Sequence, residues 1–154
     1  MSVANNKTLA GMNELGPIIE ESVKHNSDVR INVKGYSMYP LFRSETDSVR
    51  LTKADKVRRF SIVLYKRESG QYVLHRILKC KGDFVGIAGD NEIKLEYPVK
   101  KTQIIAQVSG FWREDKYYSC KNPLYRMYVL FWALIFPKRR KAIPVLQKIR
   151  RKFK

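Results

Sequence analysis

Val33-Lys34-Gly35-Tyr36-Ser37-Met38-Tyr39-Pro40 is the stretch on which the reading of this chain turns. A short apolar strand runs into a glycine, a serine follows two residues later, and a proline three residues beyond it cannot continue a central strand. The serine is therefore displayed at a strand end. A serine hydroxyl is a poor nucleophile until a neighbouring base takes its proton and donors hold the developing oxyanion, and both demand a rigid, open position. Ser37 is the candidate for that position. A Gly-x-Ser turn is also ordinary loop chemistry, so the decision rests on what lies downstream.

Downstream the pattern is one of short strands, over Ser48 to Thr52, Ser61 to Tyr65, Gln71 to Lys79, Asp83 to Ala88 and Ile104 to Trp112, with a hairpin return at Lys116 to Ser119. Ser69-Gly70 and Lys81-Gly82-Asp83 supply turns. Alternation places Val73, His75 and Ile77 on one face of their strand, so His75 has apolar neighbours. Partial burial keeps an imidazole neutral near pH 7, the form a general base needs. Ala88-Gly89-Asp90-Asn91 then ends a strand in a turn, where the Asp90 carboxylate is placed to orient a histidine from the neighbouring strand. Taken singly, each feature also has a plain structural role.

The chain has 154 residues, room for one domain with appendages. It is 44% hydrophobic, too apolar for disorder, and its formal net charge of +17 requires a partner or a purpose. Leu9, Met12, Leu15, Ile18, Ile19 and Val23 recur at helical spacing, predicting an amphipathic helix from about Lys7 to Lys24, with Gly16-Pro17 as a kink or restart. His25, at its end, is a cation near a helix C-terminus. Cys80, Cys120 and the two histidines show no metal-ligand spacing, so no metal or cofactor is expected, and the cysteines are read as free buried thiols. No secretory signal is read in Met1 to Leu15.

Taken in order, Gly35-Tyr36-Ser37-Met38-Tyr39-Pro40, Asp47-Ser48-Val49, Ser61-Ile62-Val63-Leu64-Tyr65, Val73-Leu74-His75-Arg76-Ile77 and Gly89-Asp90-Asn91 resemble the boxes of the signal peptidase family of serine endopeptidases. That family's catalytic fold is related to the self-cleaving LexA-type repressors. The resemblance covers roughly Val33 to Gly110. It implies a mainly β, signal peptidase/LexA-like catalytic fold with Ser37 as nucleophile, His75 as base in the manner of the archaeal and endoplasmic-reticulum branch, and Asp90 as supporting acid. Glu96, six positions after Asp90, matches a further acidic residue of some relatives, so the orienting carboxylate is either Asp90 or Glu96. Gly35 stands where some relatives carry a serine hydroxyl that helps hold the oxyanion. The family's usual membrane-spanning helix before the serine box is absent from this sequence.

The expected organisation is an N-terminal helix over 1–29, a catalytic β-domain over 30–120 and an apolar, basic helical appendage over 121–154, made of an apolar helix and a polybasic membrane-associating tail. From Leu124 to Phe136 the chain is almost wholly apolar and aromatic, bounded by Pro123 and Pro137, and too short for the roughly 20 residues of a spanning helix. Lys138, Arg139, Arg140, Lys141, Lys148, Arg150, Arg151, Lys152 and Lys154 follow without an acidic residue. This pairing predicts a tail held at an anionic membrane surface, on the cytoplasmic face, in preference to nucleic acid. The expected function is a serine endopeptidase cleaving the leader or signal segment of a precursor peptide or protein. The alternative is a non-catalytic peptidase-fold binding domain that docks on membrane or nucleic acid through its basic tail.

Overall fold

Amphipathic spacing ahead of the serine stretch yields a helix in the computed structural model, which describes residues 11–153. This helix, α1 (Met12–Lys24), runs through Gly16-Pro17 without restarting there; Lys7 to Ala10, including Leu9, lie outside the described residues. Gly16 is what lets the helix lie close to the sheet. A β-carbon there would fall 2.4 Å from the Tyr72 ring. Asn13 accepts the Tyr72 backbone N–H at 3.1 Å, and the Tyr72 hydroxyl donates to Glu20 at 3.1 Å, so the contact is polar as well as steric.

The strands are β1 (Val29–Asn32), β2 (Ser48–Lys53), β3 (Ile62–Lys66), β4 (Tyr72–Lys81), β5 (Phe84–Ala88), β6 (Glu96–Lys100), β7 (Ile104–Arg113) and β8 (Lys116–Ser119). Among the described residues they form one antiparallel sheet in the order β1-β2-β7-β3-β4-β5-β6, with β8 paired to β7. The mainly β expectation thus holds. The exception to the strand reading is β6, which the sequence does not announce because Pro98 interrupts it and Val99 is its one buried residue. Both features suit an edge strand, which is where it lies.

Alternation splits the apolar residues into two cores. Tyr72 and Leu74 of β4 join Ile19 and Val23 of α1, Met38, Phe42, Leu51 and Phe111 on one face. On the other, Val73 and Ile77 pack with Val63, Tyr65, Val85, Ile87 and Val99. His75, between Val73 and Ile77 on β4, belongs to this second face.

Helix α2 (Pro123–Leu134) begins where Asn122 accepts the Leu124 N–H at 2.9 Å with Pro123 in the first turn. It is not buried all round, as its composition implies. Tyr125, Tyr128, Val129 and Trp132 face the domain, while Leu124, Met127, Leu130, Phe131 and Leu134 are exposed. The basic residues after it form a further helix, α3 (Arg139–Lys152), continued from a short 3-10 turn over Phe136–Lys138, so the C-terminal appendage is helical throughout its apolar and basic parts. Ile143 of α3 is buried against the domain despite the charge around it. Cys120 is half-buried, its thiol pushed up to about 11 by burial, whereas Cys80 lies on the surface and not in the interior.

The close approach at Gly16 is directly testable. Gly16→Val should drive two methyl groups into the Tyr72 ring and lower stability by roughly 1–3 kcal/mol in urea unfolding. An unchanged midpoint would contradict the packing described.

Candidate active site

The serine stretch leaves β1 and is fixed by its own backbone. Val33 donates to Asp47 O at 2.9 Å and accepts from Glu45 N at 2.7 Å; Tyr39 N reaches Tyr36 O at 3.1 Å and Phe42 N reaches Met38 O at 3.0 Å. Met38, Leu41 and Phe42 are buried in the first core, and the Tyr39-Pro40 peptide is cis. The buried Asp47 accepts the Arg43 N–H at 2.8 Å and pairs with its guanidinium at 3.1 Å, which closes the base of the loop. Ser37, partly exposed, is thereby displayed on an anchored turn.

The other half of the site comes from β4. Ser37 and His75 line one cavity of about 290 Å³, walled by Val33, Met38, Tyr72 and Leu74 on its apolar side and by Arg67 and Glu92 on its polar side. His75 is buried at 4% exposure. Burial lowers its pKa; Glu92, Glu96 and Asp90 pull it up and Arg67 pushes it down, and the net result lies below the ordinary histidine value. The ring is therefore neutral at pH 7.

Arg76, the next residue, points to the opposite face. The β4–β5 register sets Arg76 opposite Ala88, two residues before Asp90. The two side chains, both fully buried, meet in a bidentate pair, Nε to Oδ1 at 2.8 Å and Nη2 to Oδ2 at 2.9 Å. The remaining Arg76 amino group donates to Phe60 O at 2.9 Å and to the Tyr125 hydroxyl at 3.2 Å. Burial acts to lower the Arg76 pKa, but Asp90 more than offsets it and the guanidinium stays charged. The Gly89-Asp90-Asn91 turn is in turn laid on the serine: Asn91 N donates to Ser37 O at 2.8 Å, and a β-carbon on Gly89 would fall 2.4 Å from that same oxygen. From the far side α2 closes the chain of contacts, the Tyr128 hydroxyl donating to Asp90 Oδ2 at 3.1 Å and Trp132 Nε1 to Asp90 O at 2.8 Å.

Ser37 and His75 are thus brought together, while Asp90 is held by Arg76 and supports the serine loop without bonding the imidazole. The nearest carboxylate to His75 is Glu92, with Oε2 3.6 Å from Nδ1, and Nδ1 has no hydrogen-bond partner. Glu92 also accepts the Gly89 N–H at 3.0 Å. Glu96 accepts from the Tyr65 hydroxyl at 2.7 Å and from Arg67 at 2.8 Å. Burial raises its pKa, but these donors outweigh that and hold it below the usual carboxylate range. Arg76, Glu92, Arg67 and Tyr65 were not singled out from sequence. The one signal available was the arginine directly after His75, whose partner only the strand register reveals.

A second groove, about 610 Å³, shares Arg67 and Glu92 with the first and has Ile143, Pro144 and Gln147 of α3 as one wall. Among the described residues no group of three or more His, Cys, Asp or Glu side chains gathers to hold a metal ion. No protein-family model matches the chain, and no curated protein matches it.

Two outcomes follow. Asp90→Ala leaves the Arg76 charge buried without its partner and should cost roughly 3–5 kcal/mol in urea unfolding, much of it recovered when Arg76→Met is added. A single variant as stable as the parent would contradict the clamp. The His75 ring should titrate by NMR with a midpoint below 6.5. Its neutral form then contributes stability that is complete above that value and is lost as pH falls from it through the folded-state pKa. A midpoint above 6.5 would contradict the burial argument.

Proposed function

We propose that this protein is a serine endopeptidase of the signal peptidase type, cleaving the leader or signal segment of a precursor. The observation that carries the reading is the shared cavity, with a displayed serine and a buried, neutral histidine on its wall. In the proposed reaction His75 takes the Ser37 proton as Oγ attacks the scissile carbonyl carbon. The tetrahedral intermediate collapses as the C–N bond breaks, and the leaving amine receives the proton from the imidazolium. Water, deprotonated by His75, then hydrolyses the ester and restores both side chains. The Ser37 N–H is the oxyanion donor that the resemblance supplies. Asp90 acts through Arg76 and the turn it holds against Ser37, as a positioning residue.

The resemblance implies small residues, as in Ala-x-Ala, before the cut.

A second reading, a peptidase fold kept for binding alone, is favoured by the 3.6 Å between His75 Nδ1 and Glu92, longer than a hydrogen bond. Catalytic hydrogen bonds often tighten only when substrate is bound, so a distance of this length also fits a peptidase at rest.

Reaction with a serine-directed phosphonate, followed by mass spectrometry, separates the two. The intact protein should be labelled on Ser37, Ser37→Ala should not react, and His75→Ala should react more slowly by on the order of a hundredfold. The rate should fall as pH drops below the His75 pKa. Equal labelling of all three proteins, or none beside a reactive control peptidase, would overturn the peptidase reading.

A further inference from the structure

On α2 the exposed residues Leu124, Met127, Leu130, Phe131 and Leu134 recur at intervals of three and four, one continuous apolar stripe opposite the face that holds Asp90. On α3 the exposed residues Val145, Leu146 and Ile149, with Phe153 directly after the helix, make a second stripe, while Ile143 faces the domain and is buried. The two helices adjoin at a hollow of about 760 Å³ with Ile135 on one side and Val145 and Leu146 on the other. An exposed apolar surface of this extent marks an interaction site.

The charge around it selects the occupant. Lys141, Lys148 and Lys152 flank the α3 stripe and are exposed. From Lys116 to Lys154 the sequence contains no aspartate or glutamate. A second copy would bring the same positive field against itself, so self-association is opposed. An apolar stripe bordered by lysines is the pattern of a helix lying in the interface of an anionic bilayer, where each basic side chain adds attraction. Neither helix crosses it, since no helix among the described residues is long and apolar enough to span a membrane.

We propose that the exposed stripes of α2 and α3, with the lysines that border the α3 stripe, form a docking surface for an anionic lipid bilayer, both helices lying in its interface. Arg150 of α3 rests 3.6 Å over the Tyr36 ring, one residue from Ser37, and α3 walls the groove beside the serine cavity. The helix that carries the docked stripe thus also touches the residue beside Ser37. On the peptidase reading, a clause on which docking itself does not depend, the precursor is cut at the leaflet surface.

Flotation of the full chain tests the proposal, using vesicles of equal parts phosphatidylcholine and phosphatidylglycerol against vesicles of phosphatidylcholine alone. The protein should float with the anionic vesicles, less with the neutral ones, and less as salt is raised. Phe131→Glu with Leu134→Glu, and separately Leu146→Glu with Ile149→Glu, should each weaken partitioning roughly tenfold or more, with circular dichroism unchanged. The surface positions leave the core intact, so the fold is retained. Ser37→Ala should float like the intact chain, which keeps docking separable from catalysis. Failure to float, unweakened flotation of both glutamate pairs, or conversion of a dimer to a monomer by those pairs would overturn the proposal.

Discussion

The ion pair between Arg76 and Asp90 is the constraint on which the rest of the site depends. Taking both charges out of water is costly, and their attraction offsets that cost only when geometry is good and the remaining donors and lone pairs are met. Here they are met: a bidentate contact, a carbonyl of the loop before β3, two tyrosine hydroxyls and the tryptophan that bonds the Asp90 carbonyl. The partners of the pair come from two further parts of the chain, Phe60 ahead of β3 and the α2 residues Tyr125, Tyr128 and Trp132. The pair therefore fixes β4, the turn after β5, the approach to β3 and α2 against one another at a single point.

Its position explains how a serine and a histidine far apart in sequence come to line one cavity. In β4, successive side chains face opposite ways, so His75 and Arg76 serve two sides of one strand. His75 lines the cavity, while Arg76 grips the turn whose Asn91 N–H and side-chain-free Gly89 press on the Ser37 backbone. A shift of β4 would disturb both halves together. The polar wall is separately organised, with Arg67 and Tyr65 holding Glu96 while Glu92 faces the imidazole. That division leaves the histidine neutral in a setting with three nearby carboxylates, because burial and Arg67 outweigh their pull.

Much of this was legible in the residues because it is local. Period-two alternation places His75 among Val73 and Ile77, and Gly-Asp-Asn announces the turn after β5. What was hidden depends on pairing across distance. The role of Arg76 needs the register that brings Ala88 opposite it, and the contact of Glu92 with His75 needs the turn to fold back over β4. Strand β6 carries a proline and a single buried residue, too little periodicity to read. The helical character of the basic appendage was legible, but the bounds of α3 and the burial of Ile143 were disguised by its charge. The all-apolar look of α2 concealed a division into one face that clasps Asp90 and another left exposed.

The central claim is that Ser37 and His75 form a working nucleophile and base, held in register by the buried pair behind them. A crystal structure of the protein after reaction with a peptidyl boronate tests it most directly. The account predicts boron bonded to Ser37 Oγ, the His75 imidazole within hydrogen-bonding distance of that oxygen, and the Arg76–Asp90 contact intact. Boron on another residue, or a Ser37 adduct with the imidazole turned away from it, would contradict the account.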